Sequence, residues 1–255
     1  MSLFNAFRVV LVEPQNPINL GTVMRAMKNM GFSQLALVGA PNMDLERTQI
    51  PAHRTRDMLE SMQRYTSLDD AIAHDHVAYG FTARERSHNW ESLDLESAAT
   101  QMLEQARSGL RVSLVFGREQ SGLDNEELER CTVKVRIATS DYSSLNLAQA
   151  VLLACYEVSR NIRGKTNLPA ENTDMASLGD RMRLMQALSK ALVQIGFFKS
   201  ESPNSALHRL HQSLHRFELR RQEVDLLLGI CREIENYAKL LRRGISPKLI
   251  DPEQF

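Results

Sequence analysis

The 255-residue sequence contains no apolar run of the roughly 18 residues that a membrane-spanning helix needs, so a membrane partner is not expected. Cysteine is scarce. Cys131, Cys155 and Cys231 are far apart and odd in number, which argues against a disulfide framework and for reduced thiols in a cytoplasmic protein. No cysteine or histidine spacing suits a structural zinc site, so no metal is expected. Low-complexity tracts are absent, and 43% hydrophobic with 24% charged residues is an ordinary soluble composition. The first residues, MSLFNAFRVVLVE, run straight into a strand pattern, with no basic segment or small-residue cleavage site to suggest a leader. The common nucleotide and hydrolase signatures are also missing. No G-x-G-x-x-G follows a strand, which removes the dinucleotide-binding fingerprint. GREQSG at 117–122 has phosphate-loop glycine spacing but lacks the Lys-Ser/Thr that would hold a phosphate and its metal. Neither H-E-x-x-H nor G-x-S-x-G occurs.

Net charge is absent as well, with 31 Lys+Arg against 31 Asp+Glu, but the balance differs along the chain. Residues 1–160 hold 16 basic against 20 acidic side chains, whereas residues 176–255 hold 13 against 9. The C-terminal segment is therefore the better place for a polyanion.

What is present falls into two patterns. Over residues 1–160, apolar strands alternate with helices. RVVLVE (8–13), LALVG (35–39), HVAYGF (76–81), VSLVFG (112–117) and VKVRI (133–137) read as strands. Helices are expected at 20–30, 54–63, 93–106, 125–130 and 146–160. This alternation predicts an α/β domain with a mostly parallel sheet covered on both faces. The 146–160 helix, NLAQAVLLACYEVSR, is apolar nearly all round, so it lies deep in its domain or packs against a second subunit. Residues 161–175, rich in Gly, Pro, Asn and Thr, read as a linker. Beyond them, residues 176–255 read as a small all-α C-terminal domain. Its first helix carries a stripe of Leu178, Met182, Met185, Leu188, Leu192 and Ile195. A second follows Ser202-Pro203 and sets Leu207, Leu210, Leu214 and Phe217 against a face bearing His208, Arg209, His211, His215 and Arg216. A third, at about 220–243, turns Val224, Leu227, Ile234 and Leu241 inward.

In a parallel sheet, the loops at the strand C-termini carry the site. Four such segments are unusual here: NPINLG with Arg25 beyond it, FTARER at 81–86, FGREQSGL at 116–123, and YSSLNLAQA at 142–150. In the first, Asn19 reads as an N-cap and Gly31 as the helix stop. Arg25 lies opposite the apolar stripe. By periodicity it is a solvated surface residue, or else it is aimed at an anion. Glu119 alone reads as a loop carboxylate, Ser144 and Asn146 as a capping pair, and Gly117 as a turn.

Taken in order, NPINLGTVMRAM, LVFGREQSGL and YSSLNLAQAV resemble the three motifs of the SPOUT methyltransferases, in the TrmH-like branch. The length, FTARER and the helical tail make the chain most similar to the TrmJ-type tRNA 2′-O-methyltransferases. The resemblance covers roughly residues 8–160 and implies a trefoil-knotted domain, although knots are rare and no pattern in the sequence suggests one. It further implies S-adenosylmethionine as cofactor and a homodimer. The expected partner is tRNA and not DNA, with the ribose 2′-hydroxyl of the pyrimidine at anticodon-loop position 32 as acceptor. By motif position, Arg25, Asn19, Glu119, Ser144 and Asn146 would be catalytic. Phe81, Thr82, Ala83, Gly117, Ile137, Ser144, Leu145 and Asn146 would line the cofactor pocket. Arg25, Arg84, Arg209 and Arg216 would contact RNA. Glu119 would orient Arg25 or shape the active-site loop, and Gly117 would let the cofactor approach the backbone. The family often has a Pro before YSSLN, and here the stretch is ATSDYSSLN. Two rivals stay open: a ribosomal RNA 2′-O-methyltransferase of the same branch, and a SPOUT-like RNA-binding protein without catalysis. The former commonly carries an N-terminal RNA-binding extension, whereas the strand pattern here begins by residue 8.

Overall fold

Four segments of nearly unbroken apolar residues dictate the architecture, because a strand buried on both faces has no place for alternating polar side chains, and a fifth, VKVRI, alternates and is only partly buried. In the computed structural model, which describes residues 2–41, 43–49, 55–83, 92–140, 145–164, 174–198, 206–210, 219–243 and 245, they form a seven-stranded sheet with two short additions. The strands are β1 (Phe7–Val12), β2 (Gln34–Val38), β3 (Gln63–Tyr65), β4 (Val77–Phe81), β5 (Leu93–Asp94), β6 (Val112–Phe116) and β7 (Val133–Arg136). Their order is β3-β2-β1-β6-β4-β7-β5, and every pairing is parallel. The expected α/β sheet is thus found, entirely parallel. β3 and β5 were not expected. QRY and LD are too short and polar to show a period, and both lie at sheet edges.

The helices of this unit are α1 (Pro17–Met30), α2 (Leu45–Gln49), α3 (Arg56–Ser61), α4 (Leu68–Ile72), α5 (Leu95–Arg107), α6 (Asn125–Arg130) and α7 (Leu147–Arg163). α7 packs on α1 and α5. It buries Val151, Ala154, Cys155 and Val158 and leaves Leu152, Leu153 and Tyr156 exposed. It also runs to Arg163, past the expected start of the linker, because Asn161 and Ile162 continue the turn and Gly164 caps it.

A buried polar cluster stands at the N-terminal edge of the sheet. Asp75, 1% exposed, accepts a hydrogen bond from Ser113 Oγ at 2.5 Å and faces Arg8 at 3.7 Å and Arg111 at 3.9 Å. Loss of water raises its pKa above the usual aspartate value, against the pull of Arg8, Ser113 and Arg111.

The chain divides into two compact units. One comprises Met1–Thr173 with Ser177–Gly179, and the other Asp174–Ala176 with Asp180–Phe255. In the second unit, α8 (Leu178–Gln194) and a final helix (Arg221–Arg242) share a small core of Ala176, Leu184, Ala191, Val224 and Cys231, with Leu188, Leu227 and Ile234 against it. The inward face differs from the expected stripes. Ile195 and Leu241 are about half exposed, and Leu184, Ala191 and Ala238 are buried instead. A seven-residue stripe drifts about 20° per heptad on a straight helix, so Leu241, two heptads beyond Leu227, has rotated out. Of the expected second tail helix, residues 206–210 are helical, with Leu207 and Leu210 half-buried. His211, Leu214, His215, Arg216 and Phe217 lie outside the described residues.

Candidate active site

β1, β6, β4 and β7 are consecutive neighbours in the sheet, so the loops that leave their C-terminal ends stand side by side. Those loops carry all four unusual segments of the sequence. Among them lies a cavity of about 290 Å³, near the lower end of the range for small-molecule sites. Phe81, Thr82 and Ala83 reach it from β4, Gly117 and Glu119 from β6, Ile137 from β7, and Leu145 from the approach to α7. Phe81 and Phe116 stack with centroids 4.3 Å apart, giving the cavity a rigid aromatic wall. Thr82 N–H bonds to Val135 C=O at 3.0 Å, which fixes the chain as it leaves β4.

The loop after β6 doubles back. Gly122, in the left-handed region at φ 68°, donates its N–H to Arg118 C=O at 2.9 Å. A Cβ on Gly117 would sit 2.1 Å from the Gly122 carbonyl carbon. Glycine is thus required at 117 because the loop returns across it, a different reason from the cofactor approach expected by motif position.

Glu119 is the hub of this loop. Its carboxylate accepts hydrogen bonds from Gln15 N–H (2.9 Å), Asn16 N–H (3.0 Å) and Asn19 Nδ2 (3.1 Å). Of its two expected roles, shaping the loop is the one the geometry displays, since these bonds tie the β1–α1 connection to the β6 loop. Asn19 Oδ1 in turn accepts from Asn146 Nδ2 at 3.1 Å. Asn146 caps α7 as expected, its side chain accepting from Ala148 N–H at 2.8 Å and its N–H bonding Gln149 Oε1 at 3.1 Å. Asn19 is not a cap. Asn16 caps α1 by accepting from Ile18 N–H at 2.9 Å, with Pro17 in the first helical position. Asn19 lies inside the first turn, with its amide free to join Glu119 to Asn146.

A second, more open cavity of about 570 Å³ adjoins the first and shares Glu119 and Gln120 with it. Its walls include Asn16, Pro17, Ile18, Asn19 and Arg47. Arg47 escaped the sequence reading because α2 is a single short helix with no motif around it. Ile18, Thr22 and Arg25 form an exposed stripe on α1, and Arg25 is about 10 Å along the axis from Ile18. Arg25 lines neither cavity. It makes no hydrogen bond or ion pair with another described residue. Arg209 is exposed and belongs to the other unit. Arg84, Ser144 and Arg216 lie outside the described residues.

Arg118 was also missed. Its guanidinium binds Glu13 at 2.8 Å and both carboxylate oxygens of Glu127 at 3.0 Å, and these two partners raise its pKa further. Among the described residues no group of His, Cys, Asp and Glu could hold a metal ion. No helix of the described residues is long and apolar enough to cross a membrane.

Comparison with known proteins agrees with this geometry. Residues 6–156 match the SpoU rRNA methylase family, and residues 180–244 match the C-terminal domain of the tRNA methyltransferase TrmJ. The tRNA (cytidine/uridine/adenosine-2′-O-)-methyltransferase TrmJ of Pseudomonas aeruginosa is 35% identical over 98% of this chain and 100% of its own. The tRNA (cytidine/uridine-2′-O-)-methyltransferase TrmJ of Salmonella typhimurium is 34% identical over 91% and 97%. The crystal structure of TrmJ from Z. mobilis superposes with a TM-score of 0.77 at 24% identity, covering 89% of this chain and 98% of that one, which establishes the shared fold. The chain therefore belongs to the SpoU methylase family and, within it, to the TrmJ methyltransferases.

Proposed function

We propose that the protein transfers a methyl group from S-adenosylmethionine to the ribose 2′-hydroxyl of the pyrimidine at position 32 of tRNA. The observation that carries this reading is the meeting of two cavities on Glu119, one suited to a nucleoside-like donor and the other open to RNA. The lining of the first cavity suits S-adenosylmethionine. Phe81, Phe116, Ile137 and Leu145 offer an apolar slot, and the Gly117–Gly122 loop offers backbone groups. Among the described residues that line this cavity, the one cation is Arg118, and Glu13 and Glu127 neutralise it, so a phosphate-bearing ligand gains little from it. When bound, S-adenosylmethionine supplies an electrophilic methyl group on a sulfonium.

The chain's own residues then have separable tasks. Asn19, in the wall of the second cavity and fixed by Glu119, is tied through its amide to Asn146, which lines neither cavity, contrary to its expected place in the cofactor pocket, and so anchors Asn19 to the start of α7. Arg47 and the Ile18–Thr22–Arg25 stripe offer the RNA a route from the second cavity to Arg25. Arg25 holds an RNA phosphate bidentately through its guanidinium and stabilises the negative charge that develops on the ribose oxygen, while the hydroxyl proton passes to solvent water as that oxygen takes the methyl group. Ser144, Arg84, Arg209 and Arg216 keep the donor- or RNA-binding roles their motifs and charge imply.

Residues 1–160 form the catalytic domain. Residues 176–255, with their excess of basic side chains, bind tRNA. β7 lies between the two strands that residues 82–92 connect, and this arrangement supports the knotted path. The exposed Leu152, Leu153 and Tyr156 of α7 supply the contact for a homodimer. The protein works in the cytoplasm, where free Cys131, Cys155 and Cys231 stay reduced.

Arg25→Ala tests the central assignment. Calorimetry should show S-adenosylmethionine binding within about threefold of wild type, and methyl transfer should fall by about a hundredfold or more, the scale of losing a transition-state charge contact. Near-normal turnover at saturating tRNA contradicts it.

A further inference from the structure

Two neighbouring side chains of the β6 loop hold the same stretch of the β1–α1 connection. Glu119 takes the N–H groups of Gln15 and Asn16 and the amide of Asn19. Arg118 takes Glu13 through Nε at 2.8 Å and Glu127 through its two terminal nitrogens at 3.0 Å each. Glu127 is itself held, since it closes the capping box of α6 by accepting from Asp124 N–H at 2.8 Å. The side chains of Arg118 and Glu127 are 18% and 14% exposed, so this pair is shielded from solvent, while Glu13 is half exposed.

Glu13 is the unusual member. At φ 45° it is the one non-glycine residue in the left-handed region among the described residues. Its Cγ lies 2.8 Å from where a Cβ on Gly39 would sit, so glycine at 39 is what makes room for it. A side chain without a local hydrogen bond to favour this conformation persists there only where its surroundings over-determine it. The Arg118 contact and the bond from Glu13 N–H to Val38 C=O at 2.8 Å are what hold it.

We propose that Arg118 is a positioning residue for methyl transfer. By holding Glu13 and Glu127 together it sets where the β1–α1 connection leaves the sheet. That fixes the position at which Asn19, and beyond it Arg25, meets the ribose. Arg118 and Glu119 are thus two halves of one brace, the first gripping the strand end and the second gripping the helix start. The inference rests on the roles proposed above for Asn19 and Arg25.

The test uses the full-length protein and four variants: Arg118→Ala, Arg118→Lys, Glu13→Gly and Arg25→Ala. Single-turnover methyl transfer is measured at saturating S-adenosylmethionine and tRNA, together with donor Kd and melting temperature. Arg118→Ala should lose about ten- to a hundredfold in rate, the scale of misplacing a reacting group by about 1 Å. Arg118 also lines the donor cavity, so the variant's donor Kd should rise, but by less than the rate falls, and the loss of rate should persist at saturating donor. Arg118→Lys should recover part of the rate, because an ammonium engages one carboxylate but cannot fork across two. Glu13→Gly removes the positive-φ strain and the contact together. Its melting temperature should hold or rise while its rate falls, and it decides the matter should Arg118→Ala fail to fold. The proposal is overturned if Arg118→Ala or Glu13→Gly turns over within twofold of wild type. It is equally overturned if the loss lies wholly in donor Kd, so that saturating donor restores the rate. Normal turnover in Arg25→Ala sinks the reading of the site itself. An inactive Arg25→Ala beside a normal Arg118→Ala sinks the brace alone.

Discussion

Removing the Glu119 carboxylate should untie the β1–α1 connection without unfolding the domain. Glu119→Ala deletes three hydrogen bonds at 2.9–3.1 Å, two of them from backbone N–H groups of that connection. Bonds to a charged acceptor contribute about 1.5–3 kcal/mol when shielded from water. Here the two backbone bonds are exposed and the Asn19 bond is half-buried, so about 1 kcal/mol each is the better figure. The total of about 3 kcal/mol corresponds to roughly a hundredfold in the equilibrium between the ordered connection and its alternatives. Turnover should therefore fall between ten- and a hundredfold. Glu119→Gln should fall less, since one amide oxygen still serves Asn16 and Asn19 while the new NH₂ opposes the Gln15 N–H. The assay is single-turnover methyl transfer at saturating donor and tRNA, with a melting curve for each variant. Turnover within twofold of wild type in Glu119→Ala, with an unchanged melting curve, refutes the argument that these bonds order the site.

Two further predictions concern stability and assembly. Burial raises the Asp75 pKa in the folded state, so its contribution to stability is fully present below the unfolded value of about 4 and is lost as pH rises through the folded value. The stability of wild type relative to Asp75→Asn should accordingly decline as pH rises from about 3.5 to 7, and a flat or rising difference in denaturation midpoints refutes this. A charge on the exposed apolar face of α7, as in Leu152→Glu, should give monomer or aggregate by light scattering, and a wild type that is already monomeric at micromolar concentration contradicts the dimer.

The parallel sheet was legible because strands buried on both faces are written as continuous apolar runs such as VSLVF. The edge strands and the short helices α2 and α4 were not, since two to five residues cannot display a period. The start of α1 was misplaced for a chemical reason. Asn16 and Asn19 are equally good caps by residue type, and Pro17 in the first helical position was the signal that chooses between them. The site was legible only as motifs. Phe81, Ile137 and Leu145 are ordinary apolar residues singly, and it is the sheet order that brings them to one cavity. Arg118 stayed hidden because its partner Glu13 is 105 positions away, and a pairing at that range is a property of the fold.

Mass mapping of ribose methylation tests the central claim most directly. tRNA and ribosomal RNA are compared between a strain that lacks the protein and the same strain carrying the wild-type chain or Arg25→Ala. The account predicts that the 2′-O-methyl group on the position-32 pyrimidine of tRNA is missing from the deletion strain, returns with the wild-type chain and stays missing with Arg25→Ala. Unchanged methylation at that nucleotide, or a loss confined to ribosomal RNA, contradicts it.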